Sequence, residues 1–222
     1  MGIYGRYLGP RLVRCLCSAE DIATERAKVV PLARGTVLEI GFGPALNLPF
    51  YDETLVERVI GVDPNGSFLK LGEAARKQAR FPVEVVRAPA EDLPLRAGTI
   101  DTALVTYTLC SVDDPLQSLR EIRRVLKPDG KVLFLEHGLS SDPAVARWQH
   151  RLNPLWRPLA VGCNLIRPVV SLLQEAGFAI ETVEEYYLQG VPRPVGYLSR
   201  GSARLRAAAG YRAMAEIASA GI

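Results

Sequence analysis

The chain has 222 residues, 48% of them hydrophobic and 23% charged, with a net charge of +3. That length suits one well-buried domain with appendages, and the composition is that of an ordinary soluble globular protein rather than a disordered one. The small, dispersed charge gives no argument for nucleic-acid binding, no window reaches the 18 or so apolar residues of a membrane span, and the N-terminus lacks a signal peptide's apolar core, so a cytoplasmic protein acting on a small-molecule substrate is expected.

Residues 1–34 read as an N-terminal helical cap in two pieces. The first mixes Tyr4, Tyr7, Leu8, Leu12, Val13 and Leu16 with Arg6, Arg11 and Arg14. In the second, Ser18 and Asp21 resemble a capping box that opens a helix running to Pro31. Such a prefix serves either as a lid over a ligand or as a helix that closes the sheet edge. Next comes Val37-Leu38-Glu39-Ile40-Gly41-Phe42-Gly43, an apolar strand that ends in an acid and two close glycines. Glycines there let backbone approach a ligand, yet the dinucleotide pattern G-x-G-x-x-G fails because Leu46 stands at its third glycine. A nucleoside cofactor without a pyrophosphate fits better.

Val59-Ile60-Gly61-Val62 is a second strand, followed by Asp63, Pro64 and Asn65, and a carboxylate at Asp63 can accept both hydroxyls of a ribose. A third strand over Val83–Arg87 precedes the loop Ala90-Glu91-Asp92-Leu93-Pro94, and Ile100–Tyr107 is a fourth. Asp113 or Asp114 with Pro115 starts a helix whose stripe is Leu116, Leu119, Ile122 and Leu126, with Arg120 and Arg124 solvated. Lys127-Pro128-Asp129-Gly130 then turns the chain into a fifth strand, Lys131–Glu136. Pro168–Ala176 reads as a helix closed by Gly177, and Phe178–Val183 with the run near Val195–Leu198 as a terminal strand pair. Residues 201–222 are alanine-rich with several arginines, and a solvated basic helical extension is expected, with docking to a partner or membrane surface as the alternative. The alternation of strand and helix implies a parallel sheet with helices on both faces. Cys15, Cys17, Cys110 and Cys163, with His137 and His150, lack metal-ligand spacing, so no metal is expected.

Together the E-x-G-x-G turn, the V-D-P-N acid, the A-E-D-L-P loop and the R-R-V-L-K-P-D-G turn resemble the class I S-adenosylmethionine-dependent methyltransferases. The resemblance implies an α/β, Rossmann-like methyltransferase fold: a mostly parallel seven-stranded sheet with an antiparallel last strand and helices on both faces, over residues 35–200. It implies S-adenosyl-L-methionine as cofactor, with Glu39, Gly41 and Gly43 beneath its methionine portion, Asp63 at the ribose, and Asn47, Pro64 and Asn65 as further cofactor residues. Glu91 and Asp92 are then candidates for the adenine amino group, with Thr108 a further cofactor residue.

Asn47–Tyr51, Thr108–Val112, Glu136-His137 and Gly162–Arg167, the last after Trp148 and Trp156, sharpen the likeness over about residues 36–203. They look like the small-molecule thiol S-methyltransferases of the methyltransferase-like group and their bacterial relatives, some described as menaquinone- or phospholipid-methylating. A small lipophilic thiol is then the expected acceptor, with a phospholipid head group or quinone precursor as the alternative and a non-catalytic cofactor-binding module as the contrasting class. A thiol with a free pKa near 8.5 needs little help to ionise, so His137 as general base or Arg167 as a nearby cation would suffice. For His137 the competing reading is a strand-end hydrogen bond. Cys110, Trp148 and Cys163 are candidate substrate contacts. Basic and aromatic residues near the N-terminus leave peripheral membrane contact open, and the sequence carries no signal of oligomeric state.

Overall fold

The computed structural model describes residues 20–160 and 162–206. Helix α1 (Glu20–Val29) and a 3-10 turn precede β1 (Gly35–Ile40) and β2 (Val56–Val62). Short helices α2 (Gly66–Leu71) and α3 (Glu73–Gln78) lead to β3 (Val83–Val86), then β4 (Ile100–Thr106), α4 (Pro115–Val125) and β5 (Leu126–His137). The chain continues through α5 (Pro143–Leu159), α6 (Val169–Glu175), β6 (Phe178–Tyr187) and β7 (Tyr197–Leu205). The seven strands form one sheet in the order β3-β2-β1-β4-β5-β7-β6. Strands β1 to β5 pair in parallel, and β7 is antiparallel to both its neighbours.

Central strands covered on both faces read as near-continuous apolar runs, and β1 and β4 do so. Their alternate residues feed two clusters. Leu38, Ile40, Ala103 and Val105 pack with Leu119 and Ile122 of α4 and Leu173 of α6. On the other face Val37 and Leu104 pack with Val29 and Val30 of the N-terminal segment and with Phe42. The strand order reverses between β1 and β4, which opens a crevice at their carboxyl ends, the usual ligand position in such sheets.

Several expectations change. Helix α4 is capped by Asp114, whose side chain accepts from the Gln117 N–H, but it ends at Val125. Leu126 leaves the helical stripe to pair with Ile100 as the first residue of β5, and Lys127–Gly130 loop out before pairing resumes at Lys131 with Thr102. Arg124 is not simply solvated: it pairs with Glu121 and donates to the carbonyls of Leu93 and Leu95, pinning the loop before β4. The boundary expected at residue 200 cuts through β7, because Gly201 to Leu205 pair with β6 and most of them also with β5. Helix α5 went unread because Pro154 and Pro158 lie inside it and interrupt a helical pattern. The readings on residues 1–19, Ser18, Cys15 and Cys17 included, and on 207–222 lie outside the described residues.

Candidate cofactor and acceptor site

The turn after β1 is shaped by two glycines with different jobs. Gly41 has φ +69°, and a Cβ there would stand 2.1 Å from the Thr108 Oγ1. It is glycine because the loop after β4 presses on it. Gly43, φ +52°, has only the Gly41 carbonyl oxygen at 3.6 Å and Asp63 Oδ2 at 3.9 Å near its missing Cβ, so its outer side is open toward Asp63. Asp63, directly after β2, ties the two turns together by accepting from the N–H of Gly43 at 3.0 Å and of Asn65 at 2.7 Å. Burial raises its pKa, against both hydrogen bonds. Asn65 in turn caps α2 by accepting from the Ser67 N–H, and exposed Pro64 gives its carbonyl to Arg87.

Glu39 is buried at the carboxyl end of β1 and accepts from Asn47 Nδ2 at 2.9 Å and the Tyr51 hydroxyl at 2.7 Å. Burial pushes it up to about 7 despite those hydrogen bonds and the nearby Arg26 guanidinium. Asn47 also donates to Thr106 at 2.9 Å and accepts from Arg26 Nη1 at 2.5 Å, so its amide is spent on the protein. Arg26 reaches in from α1, also donates to Thr106 at 2.9 Å, lies over the Tyr107 ring, and is 5% exposed. Its buried Nε has no hydrogen-bond partner among the described residues. Ala45 and Tyr107 adopt positive φ at the ends of β1 and β4, strain of a kind that collects at binding sites.

These residues fit S-adenosylmethionine. The open side of Gly43 beside Asp63 suits a ribose, Glu39 suits the cationic arm of the methionine portion, and the orphaned Arg26 Nε suits its carboxylate. Sequence reasoning missed Arg26 and Thr106, which carry no local signal, and did not single out Tyr51 although it ends a quoted motif.

Two other expected cofactor residues, Thr108 and Glu91, make hydrogen bonds within the scaffold. Thr108 Oγ1 donates to the carbonyls of Ile40 and Thr106, fastening the loop after β4 to the glycine turn. The Glu91 carboxylate accepts from the N–H groups of Asp113 and Asp114 and so anchors the start of α4. Asp92 beside it is exposed.

The loop after β4 rests on Glu136, which is buried and accepts from the N–H of Thr108 at 2.6 Å, Leu109 at 3.1 Å and Cys110 at 3.4 Å. Burial pushes Glu136 up to about 8 against those three donors. The structure brings the two cysteine-bearing segments together. Asn164 N–H donates to the Cys110 carbonyl at 2.9 Å, and Arg167 Nη2 to that of Val112 at 3.0 Å. Interaction between the two thiols raises Cys110 and lowers Cys163. Arg167 keeps a buried Nε without a partner among the described residues.

The His137 ring lies 5.2 Å from that of Tyr107, and two residues on Leu139 N–H donates to the Arg167 carbonyl at 2.9 Å. Burial pushes it down to about 4, although a hydrogen bond to the Val195 backbone opposes this. A neutral ring of that kind is a weak base. Trp148 is turned outward on α5 and is 55% exposed, whereas Gln149 beside it faces inward. Among the described residues no cluster of His, Cys, Asp and Glu could hold a metal ion.

Residues 38–134 match the family model of a methyltransferase domain. The chain is 34% identical to the thiol S-methyltransferase TMT1B of Homo sapiens over 170 residues, 74% of this chain and 66% of that one. It is 32% identical to TMT1B of Rattus norvegicus over 75% of this chain and 67% of that one. The chain thus spans about two thirds of the length of these curated relatives. Among solved structures, an S-adenosylmethionine-dependent methyltransferase of Thermotoga maritima, described as a possible histamine N-methyltransferase, superposes with a TM-score of 0.64 at 21% identity. It covers 91% of this chain and 97% of its own, which shows a shared fold.

Proposed function

The chain belongs to the class I S-adenosylmethionine-dependent methyltransferases, and from that membership we propose that it methylates the sulfur of a small lipophilic thiol. The observation that carries the acceptor is the junction of the two cysteine-bearing segments, Thr108–Val112 and Gly162–Arg167, through Asn164 and Arg167. Those are the segments in which the sequence resembles thiol methyltransferases, and relatives so named align with the chain.

Bound S-adenosylmethionine supplies an electrophilic methyl group on a sulfonium. Its chemistry would be displacement of that methyl from the sulfonium by the acceptor thiolate, the electron pair staying on the cofactor's sulfur and the thiol proton going to solvent. The protein orients the partners and keeps the crevice dry. Asp63 would hold the ribose, while Glu39 and Arg26 would hold the two ends of the methionine portion. Arg167, with its remaining buried donor, favours the thiolate, and neutral His137 braces Tyr107 rather than moving a proton. An acceptor that ionises readily asks little of a general base.

The test is a panel of size-matched alkyl thiols, lipid amines and quinol precursors with labelled cofactor, the product read by mass. Thiols should turn over fastest, at rates that rise with pH toward the thiol's own pKa. Methylation of an amine or quinol with thiols inert would overturn the sulfur assignment. In parallel, calorimetry on Asp63→Asn should show cofactor affinity falling tenfold or more, about 1.4 kcal/mol. An unchanged affinity would move the cofactor elsewhere.

A further inference from the structure

We propose that the outward face of α5 is a docking surface for an anionic lipid bilayer. Three large apolar side chains on this 17-residue helix stand in solvent: Trp148 at 55% exposure, Leu155 at 70% and Leu159 at 63%. At about 100° per residue they fall within about 40° of arc, one stripe along the helix. The helix has no freedom to roll this stripe inward. Gln149, 1% exposed, accepts from the Ser140 N–H and donates to the carbonyls of Gly138 and Pro194, and Asn153 accepts from the Leu165 N–H.

Charge selects the occupant. Helix α5 carries Arg147, His150, Arg151 and Arg157, all exposed, and no acid. Arg147 and Arg151 border the stripe, with the Arg151 guanidinium over the Trp148 ring. A second copy seated face to face would oppose these arginines with the same arginines. Residues 1–19 bring Arg6, Arg11 and Arg14 without an acid, and residues 207–222 hold Arg212 against the single acid Glu216. Neither cancels the charge. An anionic bilayer satisfies both halves of the pattern: leucines enter the acyl boundary, the tryptophan sits at headgroup level, and arginines meet lipid phosphates and carboxylates. The inference is independent of which acceptor is methylated.

Flotation of the full chain with phosphatidylcholine vesicles, with and without phosphatidylserine, tests it. Binding is expected with phosphatidylserine, weakening as salt is raised. The Leu155→Asp, Leu159→Asp variant should lose it by about tenfold or more, with its circular dichroism and cofactor affinity unchanged because both positions are exposed. In a Trp156→Phe background, brominated lipid should quench Trp148 fluorescence. Three results would overturn the proposal: no binding to phosphatidylserine vesicles; undiminished binding of the double variant, which would place the contact elsewhere; or a concentration-dependent dimer in sedimentation that the same variant abolishes.

Discussion

Glu39, proposed to meet the cofactor's cationic arm, is also a point where pH acts on the fold. Because burial lifts it to about 7 from the ordinary 4.5, the folded, unliganded protein holds a proton there that the unfolded chain has released. Its sign follows: between those two values stability falls as pH rises, by on the order of 3 kcal/mol. A cationic ligand arm beside Glu39 favours the ionised form, so binding expels that proton. Cofactor affinity is therefore expected to rise between about pH 6 and 8, with proton release seen as a buffer-dependent heat in calorimetry. Glu39→Gln should flatten the affinity profile and remove its share of the stability loss, leaving the fall that Glu136 causes through its own raised pKa; an affinity dependence on pH that survives the substitution would assign it to another group. The acid itself was legible as the polar residue ending an apolar strand. Arg26, which supplies its field, was not, since nothing local distinguishes it from the other arginines of the N-terminal region.

At the scale of elements, the glycine turn separates folding from binding. An alanine at Gly41 must take up positive φ and displace Thr108, whose hydroxyl holds Ile40. Left-handed strain and overpacking together should cost about 2–4 kcal/mol, read as a lower denaturation midpoint. Gly43→Ala meets nothing closer than 3.6 Å, so it should cost only about 1–2 kcal/mol while its methyl, projecting toward Asp63, weakens cofactor binding. Equal losses of stability in the two variants would contradict this division. The turn was readable because a strand that ends in two glycines has few other uses. The helices divided differently: Asp114 before Pro115 announced α4, whereas two internal prolines hid α5.

Across the whole molecule, α1 is tied to the far strands through Glu25. Its carboxylate, 5% exposed, accepts from Arg200 Nη1 of β7 at 2.6 Å and from the Tyr186 hydroxyl of β6, and pairs with Lys28. The same helix carries Arg26 into the crevice. Arg200→Gln leaves Glu25 buried with less compensation and should destabilise by about 2–3 kcal/mol, at the low end for a buried pair because Lys28 and Tyr186 remain. If this clasp also seats Arg26, cofactor affinity should fall in the variant, with little change for a cofactor analogue that lacks the carboxylate. Equal losses for both ligands would show that α1 acts on the crevice by some route other than Arg26.

What the sequence determined by itself was the order along the chain of the seven strands and of helices α1, α4 and α6, and the glycine turn after β1. Those depend on local physics: β-branched runs, glycines at forced φ, an acid at a strand end and an aspartate before a proline. The strand order with β7 between β5 and β6, the use of Glu91 and Thr108 as fasteners, the outward turn of Trp148, and the meeting of Arg26 with Glu39 and of Cys110 with Cys163 were decided only in the tertiary structure. Each joins residues far apart in the chain, and a polar side chain's role is fixed by which backbone groups and charges packing places beside it when water is removed.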